Sequence, residues 1–134
     1  MTAKEYLSRG RRLNELIDSD LQELQRLRQL ATSITPNYGG EMVPGGNEVK
    51  SKTEKIVVKI CTLEEKIQSE VNDYVDVQNE IREAIEKVGN PNERLLLRER
   101  YINFRPWEEI ADQIGYGLRG TFKLHRRALR NLRF

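Results

Sequence analysis

Apolar side chains recur at steps of three and four from Lys4 to about Ile34, at Leu13, Leu16, Ile17, Leu21, Leu24, Leu27, Leu30 and Ile34, with charged and amide residues between them. A 3.6-residue helix gathers such positions on one side, so the pattern predicts a long amphipathic helix. The following stretch, TPNYGGEMVPGGNE, holds two prolines and four glycines. These interrupt regular structure and predict a flexible loop over about 36–50. A second periodic segment begins near Ser51, whose spacing to Glu54 is that of a capping box, and continues through Ile56, Ile60, Leu63, Ile67, Val71, Tyr74, Val77, Ile81, Ile85 and Val88 to a stop at Gly89. The two helices would be roughly 45 and 55 Å long. A helix with one apolar stripe needs a partner, and the neighbour across the loop offers one in an antiparallel, coiled-coil-like hairpin. Pairing between two chains would bury the same stripes equally well. Cys61, next to Ile60, is expected to pack or half-pack against that seam.

The pattern changes after Gly89. In NPNERLLLRERYIN, Asn90 suits an N-cap, Pro91 the first helical position and Glu93 the reciprocal capping-box place, so a helix is expected to reach about Asn103. FRPWEEIADQIG repeats the device with Pro106 in the first turn, Glu108 and Glu109 facing the positive end of the helix dipole, and Gly115 as the stop. After the tight turn GYG comes a last helix. On its wheel Thr121, Leu124, His125, Ala128 and Leu132 share one side, and Arg119, Lys123, Arg126, Arg127, Arg130 and Arg133 occupy an arc of roughly 120° opposite. Ile110, Ile114, Tyr116, Leu124 and Leu129 are expected to close a small core. Ala111 permits close helix approach, and Trp107, Tyr101 and Leu97 anchor the first of the three helices. The fold class is therefore all-α: a helical hairpin over 1–89, then a three-helix unit over 90–134 with the layout of a helix-turn-helix.

Charge adds a direction to this picture. The formal net charge is only +2, yet residues 1–92 carry 13 basic and 16 acidic side chains while residues 93–134 carry 10 and 5. Any polyanionic partner is expected to meet the C-terminal third. From Gly115 onward there is no acidic residue, so nothing nearby in sequence neutralises the cationic arc. Duplex DNA has a major groove that admits one helix, flanked by phosphates, and a helix with core on one side and Arg and Lys on the other suits both features.

Other chemistries find little support. A single cysteine makes no internal disulfide, and no Cys or His pair has metal-ligand spacing, so neither metal nor other cofactor is expected. Glu64 with Glu65, and Glu108 with Glu109, are helix neighbours that point about 100° apart, unlike an acid/base pair. No catalytic residues are assigned. The N-terminus lacks an apolar signal core and no run approaches a membrane span, which predicts a soluble cytoplasmic protein without membrane contact.

WEEIADQIGYGLRGTFKLHRRALRNL, including Ala128 to Leu132, resembles region four of bacterial sigma factors, a promoter-reading helix-turn-helix. The upstream part, with LRQLATSITP, a GGE loop and a long second helix, is similar to small phage- and prophage-encoded regulators of Gram-positive bacteria, to which ArpU-type late-gene regulators are related. The resemblance covers nearly the whole chain. Carried over residue by residue, it places base reading at Leu118, Arg119, Phe122 and Lys123, and backbone contact at Arg126, Arg127 and Arg130. Five positions depart from the pattern: Gly117 stands at the N-cap, Gly120 lies inside the recognition helix, Thr121 takes the place of a larger aliphatic residue, and Leu118 and Phe122 put apolar groups where a sigma factor has polar readers, so promoter preference does not carry over.

The resemblance implies a sequence-specific regulator of phage or mobile-element promoters that binds double-stranded DNA and contacts RNA polymerase in the cytoplasm of a bacterial host cell. The N-terminal helices are the expected place for homodimerisation or docking on another protein, since one helix-turn-helix makes few base contacts. Two other readings share these features. One is a phage DNA-packaging adaptor like a small terminase subunit, which would form rings; the other is an interaction protein that binds polymerase without DNA.

Overall fold

The computed structural model describes residues 1–34 and 46–134, the side chains of 34 and 46–50 excepted. All regular structure there is helical, in the order α1 (Ala3–Ile34), α2 (Gly46–Glu86), α3 (Pro91–Tyr101), α4 (Trp107–Ile114) and α5 (Leu118–Asn131). The loop expected over 36–50 is helix from residue 46 onward, and its remainder lies outside the described residues. Ser51 is consequently an interior residue of α2 and not its cap. Asn47 to Lys50 contain neither proline nor glycine to stop the helix from extending to Gly46.

The chain divides into two compact units, Met1–Asn14 with Asp73–Phe134, and Glu15–Asn72. In the second of these, segments of α1 and α2 lie antiparallel, as the pairs Arg28–Glu64 (3.3 Å) and Asp20–Lys66 (3.4 Å) require. Leu24, Leu63 and Ile67 are buried there, with Leu27, Ile60 and Val71 packed against them. Burial follows alternating steps of three and four at Ile17, Asp20, Leu24, Leu27 and Ala31, and at Thr53, Ile56, Ile60, Leu63, Ile67 and Glu70. This is the 3.5-residue spacing of a coiled-coil seam, narrower than the stripe counted at 3.6. Leu16, Leu21 and Leu30 fall beside the seam and are exposed. Cys61 is exposed too, because the position after a seam residue turns away from it.

The other unit holds the larger core. Leu7 of α1, Ile81, Ala84 and Ile85 of α2, and Val88 just after it are buried together with Leu96, Leu97, Tyr101, Ile110, Leu124, Ala128 and Leu132. The two units meet at 14/15 and 72/73, and within the first of them α3, α4 and α5 bury their inner faces partly on the flanking segments of α1 and α2. Arg9 pairs with Glu80 at 2.9 Å, and Gly10 lets α1 approach α2 closely: a Cβ there would stand 2.1 Å from Oε1 of Gln78. Phe134, beyond α5, stacks on Tyr6 with ring centroids 4.6 Å apart.

Local signals set the ends of the short helices. Asn90 accepts hydrogen bonds through its side chain from the backbone N–H groups of Asn92 and Glu93, and Pro91 opens α3. The helix closes at Tyr101, two residues before the expected Asn103, where Ile102 and Asn103 both donate to the carbonyl of Arg98. Pro106 stands at the N-cap of α4, and Gly115 ends it with φ +83° in the left-handed region, where its N–H and that of Tyr116 both donate to the carbonyl of Ala111. That reversal swings Tyr116 out of the core position expected for it, leaving it 41% exposed. Ile110 and Leu124 are core residues, while Ile114, Leu129 and Trp107 pack against them partly buried.

Candidate nucleic-acid interface

Helix α5 is 14 residues long, hence roughly 21 Å. Its inner side is built as its amphipathic pattern requires: Thr121, Leu124, His125, Ala128 and Leu132 are all buried. Thr121 is smaller than an aliphatic residue and polar, yet its hydroxyl donates to the carbonyl of Gly117 at 2.9 Å, so it is satisfied within the first turn. Gly117 caps the helix with its backbone alone.

His125 is held by aromatic neighbours. Trp107 meets it edge-on at 4.7 Å and Tyr101 stacks at 5.8 Å between ring centroids. Burial, and then the nearby Lys4 and Arg100, lower its pKa from 6.5 to about 4, while burial pushes the Tyr101 hydroxyl up to about 12. Both rings are therefore neutral near pH 7. The Tyr101 hydroxyl and Nε2 of His125 share a hydrogen bond of 2.7 Å. This pair joins α3 to α5 and holds α5 at a set rotation, and His125 is thereby occupied in the interior.

The outer side is cationic. Arg119, Lys123, Arg126 and Arg130 are exposed along it, and Arg133, expected on the same arc, is exposed beyond the helix, which ends at Asn131 with Leu132 extended; among the described residues none of the five pairs with a carboxylate. Arg127 differs. Its Nε donates at 2.9 Å to Glu93, which is 2% exposed and also accepts from Nδ2 of Asn131 at 3.0 and 3.2 Å. Glu93 is therefore not the capping-box partner of Asn90. Its side chain turns across to α5 and neutralises one member of the arc, where a contact 34 residues distant in sequence leaves no local signature. Arg127 keeps 56% of its side chain exposed and is both a clamp and part of the surface.

The expected base-reading positions come together at the start of α5. Leu118 (44% exposed) and Phe122 (42%) stand one turn apart, with exposed Arg119 and Lys123 beside them. Trp107 backs Phe122 edge-on at 5.2 Å, a support the sequence pattern did not disclose. Trp107 in turn carries the Arg100 guanidinium over its ring at 4.5 Å. The assembly is a helix fixed on its inner side and free along its outer one, with two apolar groups at the cation-flanked leading end.

A family described as a protein of unknown function (DUF1492) matches residues 32–133. The chain belongs to the DUF1492 family. No curated protein and no solved structure matches it. The DUF1492 match spans α2 to α5 and so contains the whole of the cationic face, the Glu93–Arg127 clamp and the Tyr101–His125 pair. Among the described residues, this DUF1492 chain has no cluster of three metal-ligating side chains, and no helix long and apolar enough to cross a membrane.

Proposed function

We propose that this chain is a sequence-specific binder of duplex DNA that regulates phage or mobile-element transcription. The observation that carries the reading is the outward face of α5, where Arg119, Lys123, Arg126 and Arg130 are exposed without an internal carboxylate partner among the described residues, with Arg133 exposed just beyond the helix end. An ordinary solvated helix mixes signs on its surface, because opposite charges three or four residues apart support each other. A uniformly cationic helix presented by a turn and a second helix is matched to a groove lined with phosphates. The phage association and the contact with bacterial RNA polymerase rest on the resemblance to sigma region four and to prophage regulators.

One recognition helix reads few bases, and a second copy would supply the second half-site. Leu16, Leu21 and Leu30, exposed in the Glu15–Asn72 unit, support a homodimer through the N-terminal helices. Light scattering over a range of concentrations checks this. A ring of many subunits would instead favour the packaging-adaptor reading.

The decisive experiment titrates the full chain and its variants on selected and scrambled duplexes at several salt concentrations. Arg126→Ala and Arg130→Ala should weaken both duplexes alike and lower the salt slope by roughly one per lost phosphate contact. Arg119→Ala should cost about 1–3 kcal/mol on the selected duplex and much less on the scrambled one. Unchanged affinity and salt slope in all three variants would reduce the face to solvated surface and end the DNA-binding reading.

A further inference from the structure

Phe122 and Leu118 are out of place on a solvated cationic helix. They sit four residues apart on one side of α5, each more than two-fifths exposed, directly before and beside Arg119 and Lys123. Neither is needed to close the core, which Leu124, Ala128, Leu132 and Ile110 fill. Phe122 is also held from behind by Trp107, whose ring meets it edge-on at 5.2 Å, so its exposed edge is fixed and does not fold back onto the protein. The molecule thus keeps an apolar surface in water at the end of the helix where base edges are read.

Resting on the DNA-binding reading above, we infer that Phe122 and Leu118 recognise the 5-methyl groups of thymines in the major groove, and that the bound sequence carries thymine next to the base pair read by Arg119. The cations around the pair select the occupant. Phosphates on both sides of the groove match Arg126 and Arg130, and guanine O6 and N7 match the guanidinium of Arg119. The thymine methyl is the one apolar group that a base pair displays in that groove. Cytosine in the same place offers an amino donor, which neither side chain can satisfy, so the pair discriminates by leaving that donor unpaired as well as by contacting the methyl.

The test removes the methyl without touching the protein. Duplexes enriched by the full chain from a random-sequence library are remade with deoxyuridine in place of each thymine, one position at a time. Wild-type protein should bind the deoxyuridine duplex about fourfold more weakly for each methyl contacted, the worth of one buried methyl group. Phe122→Ala should bind the thymine and deoxyuridine duplexes equally at one position, and Leu118→Ala should do so at another. Leu118 has no aromatic support to lose, which keeps the comparison sound if Phe122→Ala disturbs folding. If wild type binds both duplexes equally while Arg119→Ala still weakens the enriched one, DNA reading stands and methyl recognition is wrong. If Phe122→Ala and Leu118→Ala leave DNA affinity intact and abolish binding to RNA polymerase, the apolar pair serves a protein partner and the inference is overturned. Should no duplex be bound at all, the functional reading fails and takes this one with it.

Discussion

At the scale of single residues, two buried polar groups decide how α5 is held. Glu93 is a carboxylate almost fully removed from water, and Arg127 and Asn131 supply its hydrogen bonds. Deleting one partner of such a pair leaves an uncompensated charge, so Arg127→Ala should cost about 1–3 kcal/mol of stability, the low end reflecting the solvent access of the arginine. Arg126→Ala, with no partner to strand, should change stability by no more than about 0.5 kcal/mol. Urea denaturation of the two variants checks the contrast, which also means that binding data on Arg127→Ala must be read against its fold. His125 provides a pH signature. Its pKa is about 4 in the folded chain against 6.5 ordinarily, so between those values the unfolded chain binds more protons. Stability is therefore complete above about pH 6.5 and falls as pH drops toward 4. Thermal melts at pH 7.5, 6.5, 5.5 and 5.0 should show the decline beginning above the range where carboxylates titrate. His125→Gln should flatten it, even if that variant melts lower throughout.

At the scale of elements, the α4–turn–α5 unit uses two glycines for opposite reasons. Gly115 has φ +83°, a conformation that L side chains rarely adopt, so Gly115→Ala should destabilise by about 1–2 kcal/mol although open space surrounds it. Gly120 lies in the first turn of α5, and a Cβ there would meet Tyr116 at an ordinary 3.7 Å. Nothing in the backbone requires glycine at that position. Gly120→Ala should stabilise by about 0.5–1 kcal/mol through its better helix propensity. Differential scanning calorimetry should find the two substitutions moving Tm in opposite directions. A loss from Gly120→Ala would mean that the start of α5 has a packing constraint beyond the Tyr116 contact.

At the scale of the whole molecule, the three short helices share their core with the ends of α1 and α2. Leu7, Ile81, Ala84, Ile85 and Val88 are buried in the same cluster as the inner faces of α3, α4 and α5. A fragment of residues 90–134 would expose that surface, and chains this short rarely bury enough to fold unaided. It should show no cooperative thermal transition where the full chain does; a cooperative melt of the fragment above roughly 60 °C would contradict this. The consequence for function is that residues 1–14 and 73–89 are part of whatever α5 presents.

The sequence by itself determined whatever depends on neighbours within a few positions. Asn90 capping Pro91, Gly115 ending α4, and the sorting of Thr121, Leu124, His125, Ala128 and Leu132 from the arginines are consequences of helix geometry and of the lone pairs and φ angles of single residues. For that reason the all-helical class and the cationic face were legible in the sequence. Tertiary structure alone decided the rest. Glu93 has the spacing of a capping box, but a buried carboxylate gains more from Arg127 and Asn131 across the fold than from an exposed backbone N–H. Leu16, Leu21 and Leu30 share the apolar character of Ile17 and Leu24, and only the 3.5-residue seam of two paired helices separates buried from exposed. The packing of Leu7 and Ile81 beside Leu96 joins residues far apart in the chain, and periodicity along one helix carries no record of which distant helix will cover it.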